Sequence, residues 1–168
     1  MNKQITGRVW LFGNDVNTDV IFPGKYTYSI SDPMEMAKHA MEDADPEFAA
    51  KVQPGDIVVA GKNFGCGSSR EQAATCLKAA GVAAVVAGSF ARIYFRNAIN
   101  LGLPIVQCPE VVAHVKAGDA LSVDFARGVI EHEGKAYSFP PLPESVMEIL
   151  EKGGLVEYVK GQLAKRGE

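Results

Sequence analysis

The sequence predicts an α/β fold: a three-layer β/β/α domain built around a barrel-like mixed sheet. Short apolar runs alternate with amphipathic stretches over residues 57–107, and this order favours parallel strands joined by helical crossovers. Residues 121–139 instead alternate apolar and polar side chains around a turn at Glu133-Gly134, which is typical of antiparallel strands. The 168 residues, 47% of them hydrophobic, are expected to form one domain over 1–168.

Local signals set the limits of the elements. Pro33 suits the first position of a helix, so a helix is predicted over 33–41. Ser89 is expected to cap a helix over 90–101, which Gly102 ends. In chain order, the other predicted elements are strands at 6–12, 57–60, 83–87, 104–107, 121–125, 129–131 and 136–139, a helix that ends at Gly81, and one or two helices over 144–165 divided at Gly153-Gly154.

Composition and charge argue against several classes of protein. The net charge is −3 and the basic residues are scattered, whereas a nucleic-acid-binding domain usually carries a basic patch. No apolar run approaches the length of a membrane span. The first residues lack the apolar segment of a signal peptide, so a cytoplasmic protein is expected.

The residues that commonly bind metals are dispersed. They are Cys66, Cys76, Cys108, His39, His114 and His132. No pair has the spacing of a zinc or iron–sulfur motif, so this chain alone is not expected to hold a metal. Cys76 lies on an apolar helical stripe and is predicted to be core. Cys66 is a weaker candidate nucleophile, because no histidine lies near it in the sequence to act as its base.

Residues 61–70, here called the serine loop, carry the main functional signal. Their sequence is Gly-Lys-Asn-Phe-Gly-Cys-Gly-Ser-Ser-Arg, and its three glycines would let the backbone approach a ligand closely. Ser68, Ser69 and Arg70 stand at the predicted start of a helix. Free N–H groups at a helix N-terminus attract anions, and a guanidinium matches a carboxylate. The loop therefore predicts an oxyanion site that contains two serines.

Helix capping is the alternative explanation of the same residues. Ser68 with Glu71 matches a capping box, and Ser69 with Gln72 matches it one residue later. A cap needs only one permissive residue, however, and the three glycines favour close contact with a ligand. The Gly-Lys-Ser/Thr ending of a phosphate-binding loop is absent.

Three segments in order resemble the mobile swivel domain of the aconitase superfamily. In chain order they are residues 17–23 (Asn-Thr-Asp-Val-Ile-Phe-Pro), the serine loop and residues 89–97 (Ser-Phe-Ala-Arg-Ile-Tyr-Phe-Arg-Asn). The resemblance runs from about residue 5 to the C-terminus, and the length is similar to that of a free-standing small subunit. Among the branches of the superfamily, the chain most resembles the small subunits of 3-isopropylmalate dehydratases, hydro-lyases of leucine biosynthesis.

The resemblance implies a heteromer and assigns roles to particular residues. In this family a separate large subunit carries a [4Fe–4S] cluster that acts on the substrate as a Lewis acid. Ser68 matches the serine that removes a proton next to a carboxylate, and Ser69 and Arg70 match substrate contacts. Asp19 matches the aspartate that orients a catalytic histidine of the large subunit, although its polar neighbours by themselves favour a turn residue.

Residues 24–30, here called the tyrosine loop, bear on substrate choice. In relatives whose substrates have a third carboxylate, this loop resembles Tyr-Leu-Arg-Thr, and its arginine holds that carboxylate. The present loop has no arginine, so an extra buried carboxylate would lack a charged partner. Tyr26, Thr27 and Tyr28 are therefore candidate substrate-binding residues, and the two tyrosines with Ile30 are expected to contact an alkyl group. An ordinary surface loop is the alternative.

Two classes of function follow from these observations. The first is the catalytic small subunit of a hydro-lyase for an alkyl malate: 3-isopropylmalate, or alternatively 2,3-dimethylmalate, with homoaconitase as a further alternative. The second is a non-catalytic module for anion binding or assembly. The intact Ser68-Ser69-Arg70 sequence favours catalysis. Arg92 and Arg96, one helical turn apart, are left open as interface or ion-pair residues.

Overall fold

The computed structural model describes residues 3–167, which form a mixed sheet surrounded by helices. The strands are β1 (Gln4–Leu11), β2 (Ile57–Ala60), β3 (Ala84–Ala87), β4 (Ile105–Gln107), β5 (Ala120–Asp124), β6 (Val129–His132) and β7 (Lys135–Ser138). The helices are α1 (Thr18–Ile21), α2 (Pro33–Ala37), α3 (Phe48–Lys51), α4 (Gln72–Ala79), α5 (Arg92–Asn100), α6 (Pro109–Val112), α7 (Glu144–Glu151) and α8 (Leu155–Arg166), with a 3₁₀ turn at Gly24–Tyr26. Every predicted strand is confirmed to within about two residues.

The sheet has a parallel half and an antiparallel half. Its seven strands lie in the order β4-β3-β2-β1-β5-β6-β7. β1, β2, β3 and β4 are parallel neighbours, whereas β5 pairs antiparallel with β1 and continues into the meander of β6 and β7. The predicted mixed sheet is therefore confirmed, and β1 is the strand that joins its halves.

Two apolar cores lie on opposite faces of the parallel half. Along β2, Val58 and Ala60 belong to the core beneath the helices, while Ile57 and Val59 belong to the core shared with the antiparallel half. All four side chains are buried, which explains why this strand is apolar at every position instead of alternating. The sheet curls so that its two halves enclose the second core, which gives the predicted β/β/α layers.

The helix predicted over 33–41 ends earlier than expected. α2 stops at Ala37 and is followed by turns. Met41 has a left-handed backbone (φ 57°) and is fully buried, and its N–H donates to the carbonyl of Ile21 at 2.8 Å. A contact with a distant segment therefore replaces the helical hydrogen bond that the local sequence favours.

Ser89 does not cap the next helix. α5 begins at Arg92 with Ala91 as its N-cap residue. The Ser89 hydroxyl instead accepts a hydrogen bond from the backbone N–H of Asn63 at 2.8 Å, and the Ser89 carbonyl accepts one from Phe64. These contacts hold the serine against the serine loop, and the helix starts two residues later than predicted. The predicted division of the C-terminal helices at Gly153-Gly154 is confirmed.

Among the described residues, the helices are too short or too polar for a membrane span.

Asp56, just before β2, is a buried carboxylate that connects β1 to the turn in front of β2. Its Oδ2 accepts hydrogen bonds from the Trp10 indole N–H and the Gln53 backbone N–H, each at 2.9 Å. Arg8 adds an ion pair at 3.3 Å.

We expect Asp56→Ala to lower the free energy of unfolding by roughly 2–3 kcal/mol, because it leaves buried donors unpaired. Urea unfolding would measure this, with the exposed Asp43→Ala as control; equal losses in both variants would contradict the role of Asp56.

Candidate active site

The candidate site lies where three parallel strands end. The segments that leave β1, β2 and β3 at their carboxyl ends are residues 12–17, the serine loop and residues 88–91. Because neighbouring parallel strands end at one edge of a sheet, these segments meet there. The three motifs of the sequence analysis, separated by up to about 70 residues along the chain, are thereby brought together.

Backbone hydrogen bonds join the three segments. Gly65 donates to the carbonyl of Val16 at 2.8 Å, and Thr18 donates to the carbonyl of Cys66 at 2.9 Å. Phe64 donates to Ser89, and Ala91 donates back to Phe64. The serine loop is thus held on both sides by main-chain contacts, as in a short stretch of sheet.

Two glycines of the serine loop have backbones that other residues adopt with difficulty. Gly65 and Gly67 have φ angles of +82° and +95°. A Cβ on Gly65 would also collide with the ring of Tyr94, which is buried beneath the loop and donates its hydroxyl to the carbonyl of Ala73 at 3.0 Å. Gly65 therefore faces the protein's own core, and the predicted approach of a ligand to the serine loop stays a prediction.

A cleft of about 300 Å³ opens beside the serine loop. Both predicted serines, Ser68 and Ser69, line this cleft and are exposed. The remaining lining residues are Thr18, Gly65, Gly67, Arg70, Ala91, Arg92, Ile93, Tyr94 and Asn97. Thr18 and Asn97 were not singled out in the sequence, although both lie inside the motifs that carry the resemblance.

The capping-box interpretation of the serines is wrong. α4 begins at Gln72 with Glu71 as its N-cap residue, and no side chain caps it. The Ser68 carbonyl accepts a hydrogen bond from Arg70 at 2.9 Å in a turn that precedes the helix. The serine side chains therefore remain in the cleft instead of binding the first turn of α4.

Arg70 connects the serine loop to the segment that contains α1 and the tyrosine loop. One terminal nitrogen donates to Asp19 Oδ1 at 2.9 Å and to the carbonyl of Phe22 at 2.7 Å, and the other donates to the Thr27 hydroxyl at 2.9 Å. The Arg70 side chain is only 14% exposed. Arg70 thus lines the cleft, but three of its hydrogen bonds hold neighbouring segments in place.

The three candidate residues of the tyrosine loop have different environments. Tyr28 is fully exposed. Tyr26 packs against Phe22 and lies with its ring centroid 4.0 Å from that of His39. Besides receiving the Arg70 contact, Thr27 accepts a hydrogen bond at its carbonyl from the Gln72 side chain at 2.9 Å. Only Tyr28 of the three therefore extends freely into solvent.

Asp19 is a side-chain partner of Arg70 and not the turn-forming residue of its segment. Asn17 has that role, because its Oδ1 accepts a hydrogen bond from the Val20 N–H at 2.9 Å and caps α1. The Asp19 side chain is 68% exposed. Its carboxylate can therefore meet a group from outside this chain while it stays on Arg70.

The cysteines are not gathered into a metal site in the part of the chain that the structure describes. Burial raises the pKa of the Cys76 thiol, and the side chain packs in the helical core as predicted. The single group of three potential ligands in residues 3–167 is Asp119, His132 and Glu133, away from the cleft. His132 and Asp119 already form a 2.8 Å hydrogen bond there. No spacing pattern along the chain indicated this group.

The sheet is curled, and a glycine-rich serine loop lies at the carboxyl ends of its parallel strands. This arrangement defines the C-terminal, or swivel, type of aconitase domain. The family model for the aconitase C-terminal domain matches residues 15–110. The 3-isopropylmalate dehydratase small subunit of Heliobacterium modesticaldum is 55% identical, with 96% of this chain and 98% of the relative covered. The chain therefore belongs to the family of 3-isopropylmalate dehydratase small subunits.

Two further relatives agree with this assignment. The 3-isopropylmalate dehydratase small subunit 1 of Methanopyrus kandleri is 54% identical, with 95% of each chain covered. The crystal structure of a 3-isopropylmalate dehydratase from Methanocaldococcus jannaschii superposes with a TM-score of 0.92 at 43% identity, with 98% of both chains covered. The solved structure thus shares the fold over nearly the whole chain, and the sequence relative matches over nearly its whole length.

The fit of Gly65 against Tyr94 is testable by substitution. We expect Gly65→Ala to lower the free energy of unfolding by roughly 2–4 kcal/mol, because a left-handed backbone and a collision are combined. Gly118→Ala is the matched control, since Gly118 has a similar φ of +87° but nothing within 4 Å of an added Cβ. Urea unfolding of both variants isolates the contact; equal losses would show that only the backbone angle matters.

Proposed function

We propose that this chain is the small subunit of a 3-isopropylmalate dehydratase and acts as a hydro-lyase together with a large subunit. The reaction converts 2-isopropylmalate to 3-isopropylmalate by loss of water and its return at the neighbouring carbon. The observation that carries the proposal is a serine pair that is exposed in a cleft and held by paired loops. The names of the relatives support the same activity.

Ser68 is the base of the proposed reaction. In dehydration, its deprotonated oxygen takes the proton from the carbon next to a carboxylate, the C–O bond breaks, and the electron pair forms the double bond. In rehydration, Ser68 returns a proton as hydroxide adds to the other carbon. A serine alkoxide needs electrostatic stabilisation, which the neighbouring Arg70 and the backbone N–H groups of the serine loop are placed to supply.

Arg70 and Asp19 act as a pair in this proposal. Arg70 retains hydrogen-bond donors beyond those used by Asp19, Phe22 and Thr27, because a guanidinium has five. A substrate carboxylate beside Ser68 and Ser69 would bind these remaining donors. The exposed side of Asp19 would orient a histidine of the large subunit. Arg70 therefore both binds the substrate and positions the groups around it.

The cofactor belongs to the partner in this proposal. The described residues offer no group of three cysteines, so an iron–sulfur cluster would be held by the large subunit. Such a [4Fe–4S] cluster would supply a Lewis acid for the departing hydroxyl. The open cleft is consistent with a site that a second subunit completes.

Tyr28 is proposed to select the substrate by contacting its alkyl group. Its ring projects from the tyrosine loop, in which Thr27 is bound by Arg70 of the serine loop and by Gln72 of α4. In the assembled enzyme this apolar ring would contact the isopropyl group. Tyr26 and Thr27 contribute by holding the loop, since their side chains already have partners.

The direct test is activity of the assembled enzyme. The chain would be co-produced anaerobically with a family large subunit and assayed with 3-isopropylmalate, 2,3-dimethylmalate, homoaconitate and citrate. Turnover with 3-isopropylmalate as the preferred substrate is expected, and only when both subunits are present. Preference for 2,3-dimethylmalate would correct the substrate, and an inactive complex would favour the anion-binding module.

Ser68→Ala should abolish most turnover without affecting assembly. Loss of a general base typically lowers the rate on the order of 10²–10⁴-fold. Ser68 is exposed and caps no helix, so the free energy of unfolding should change by less than about 0.5 kcal/mol. Ser145→Ala, at an exposed serine on α7, controls for loss of a hydroxyl. A kcat near that of the wild type would remove Ser68 from the mechanism.

Tyr28→Arg should reverse part of the substrate preference. A guanidinium at the position of the alkyl group lowers kcat/KM for 3-isopropylmalate, because the charge lacks a partner there. The same group would pair with the extra carboxylate of homoaconitate. The measurement is the ratio of kcat/KM for these two substrates, with Tyr28→Leu as an apolar control. If the ratio does not fall in the arginine variant, the tyrosine loop does not face the variable group.

A further inference from the structure

Part of the wall of the cleft is formed by the N-terminus of α5, where Arg92, Ile93 and Tyr94 line it together with Arg70 of the serine loop. We propose that this wall is a second carboxylate subsite, in which Arg92 and the free backbone N–H groups of α5 bind one carboxylate of a dicarboxylate substrate. The identity of the substrate class rests on the proposed function. The subsite itself rests on the geometry described below.

No side chain caps the N-terminus of α5. Its N-cap residue is Ala91, which has no polar side chain, and the first bond across the turn is from Phe95 to the Ala91 carbonyl at 3.0 Å. The backbone N–H groups of Arg92, Ile93 and Tyr94 find no acceptor among residues 3–167. All three residues line the cleft. Free N–H groups at the start of a helix carry partial positive charge and attract anions.

The first turn of α4 does not present a comparable set of donors. Ala73 donates to the carbonyl of Arg70, and Ala74 and Thr75 both donate to that of Glu71. The anion-attracting helix end that the sequence suggests for the serine loop is therefore partly satisfied within the chain. α5 supplies the free helix end at the cleft.

Arg92 has a guanidinium without a competing partner. It is exposed, and across the described part of the chain no side chain or carbonyl forms a hydrogen bond or ion pair with it. Arg70, in contrast, is mostly buried and holds Asp19, Phe22 and Thr27. Two arginines thus line the cleft, and Arg92 has the larger number of unused donors.

Thr18 gives an independent indication of a ligand. The residue lines the cleft, is 2% exposed, and its hydroxyl has no hydrogen-bond partner within the described chain. This oxygen would lie 3.5 Å from a Cβ built on Gly67 of the serine loop. A buried hydroxyl without a partner is unfavourable. A ligand oxygen, or a water held by it, would satisfy this group.

Two guanidinium groups on one cleft match the two carboxylates of a malate. Arg70 stands beside the serines and would bind the carboxylate next to the carbon that loses its proton. Arg92 and the α5 N-terminus would bind the other carboxylate. Two-point binding fixes the orientation of the substrate, so that the proton to be removed is presented to Ser68.

The first test uses succinate as a dicarboxylate probe with the full chain, and acetate as a monocarboxylate control. In an NMR titration, succinate should shift the amide resonances of residues 92–94 and bind more tightly than acetate. Arg92→Gln should weaken succinate binding about ten-fold or more, as expected for loss of a charge-assisted contact. Arg96→Gln is the matched control, because Arg96 lies one turn further along α5 and does not line the cleft. Equal effects of the two variants would overturn the subsite.

The second test uses the assembled enzyme. Arg92→Gln should raise the KM for the malate about ten-fold or more, Arg92→Lys should recover part of the loss, and Arg96→Gln should leave KM unchanged. If Arg92→Gln weakens association with the large subunit but leaves succinate binding intact, Arg92 is an interface residue and the proposal fails. An inactive wild-type complex would count against the proposed function, while the succinate titration would still decide the subsite.

Thr18 provides a test that separates binding from stability. Thr18→Val removes the hydroxyl and keeps the shape, so succinate binding should weaken several-fold while the melting temperature stays level or rises. Thr18→Ser should retain binding. A lower melting temperature with unchanged succinate binding would show that the hydroxyl is structural and would remove Thr18 from the subsite.

Discussion

The hydrogen bonds between the segments that follow β1, β2 and β3 are the constraint on which the site depends. Phe64, Gly65 and Cys66 pair through their backbones with Val16 and Thr18 on one side, and with the segment 89–91 on the other. These contacts fix a loop that has no regular structure of its own. The serines can therefore be exposed without being freely mobile, which a catalytic base requires.

Arg70 adds a charged contact to this backbone framework. Its bonds to Asp19, Phe22 and Thr27 couple the serine loop to the tyrosine loop, so the groups proposed for proton removal and for substrate choice form one unit. A guanidinium suits this position because its donors are arranged in a rigid fork. The same residue then contributes both to positioning and to the electrostatics of the cleft.

Some hydrogen-bonding groups at the cleft already have partners within the chain, and others have none among the described residues. Arg70 is largely occupied within the chain, whereas Arg92, the α5 N-terminus and the Thr18 hydroxyl lack partners among the described residues. Unsatisfied polar groups are costly in a folded protein and are commonly kept where a ligand binds. The distribution of partners, more than the list of residue types, therefore indicates which groups are available to a substrate.

The sequence by itself determined the mixed sheet, the succession of strands along the chain, the serine loop and the family, because short apolar runs and a contiguous motif are local properties. Only the tertiary structure decided where α2 ends and where α5 begins, since Met41 and Ser89 form hydrogen bonds with distant segments that local propensity does not reveal. It also decided that Arg92 lines the cleft and that Tyr28, not Tyr26, is free. These outcomes depend on packing between segments distant in the sequence, which no local pattern records.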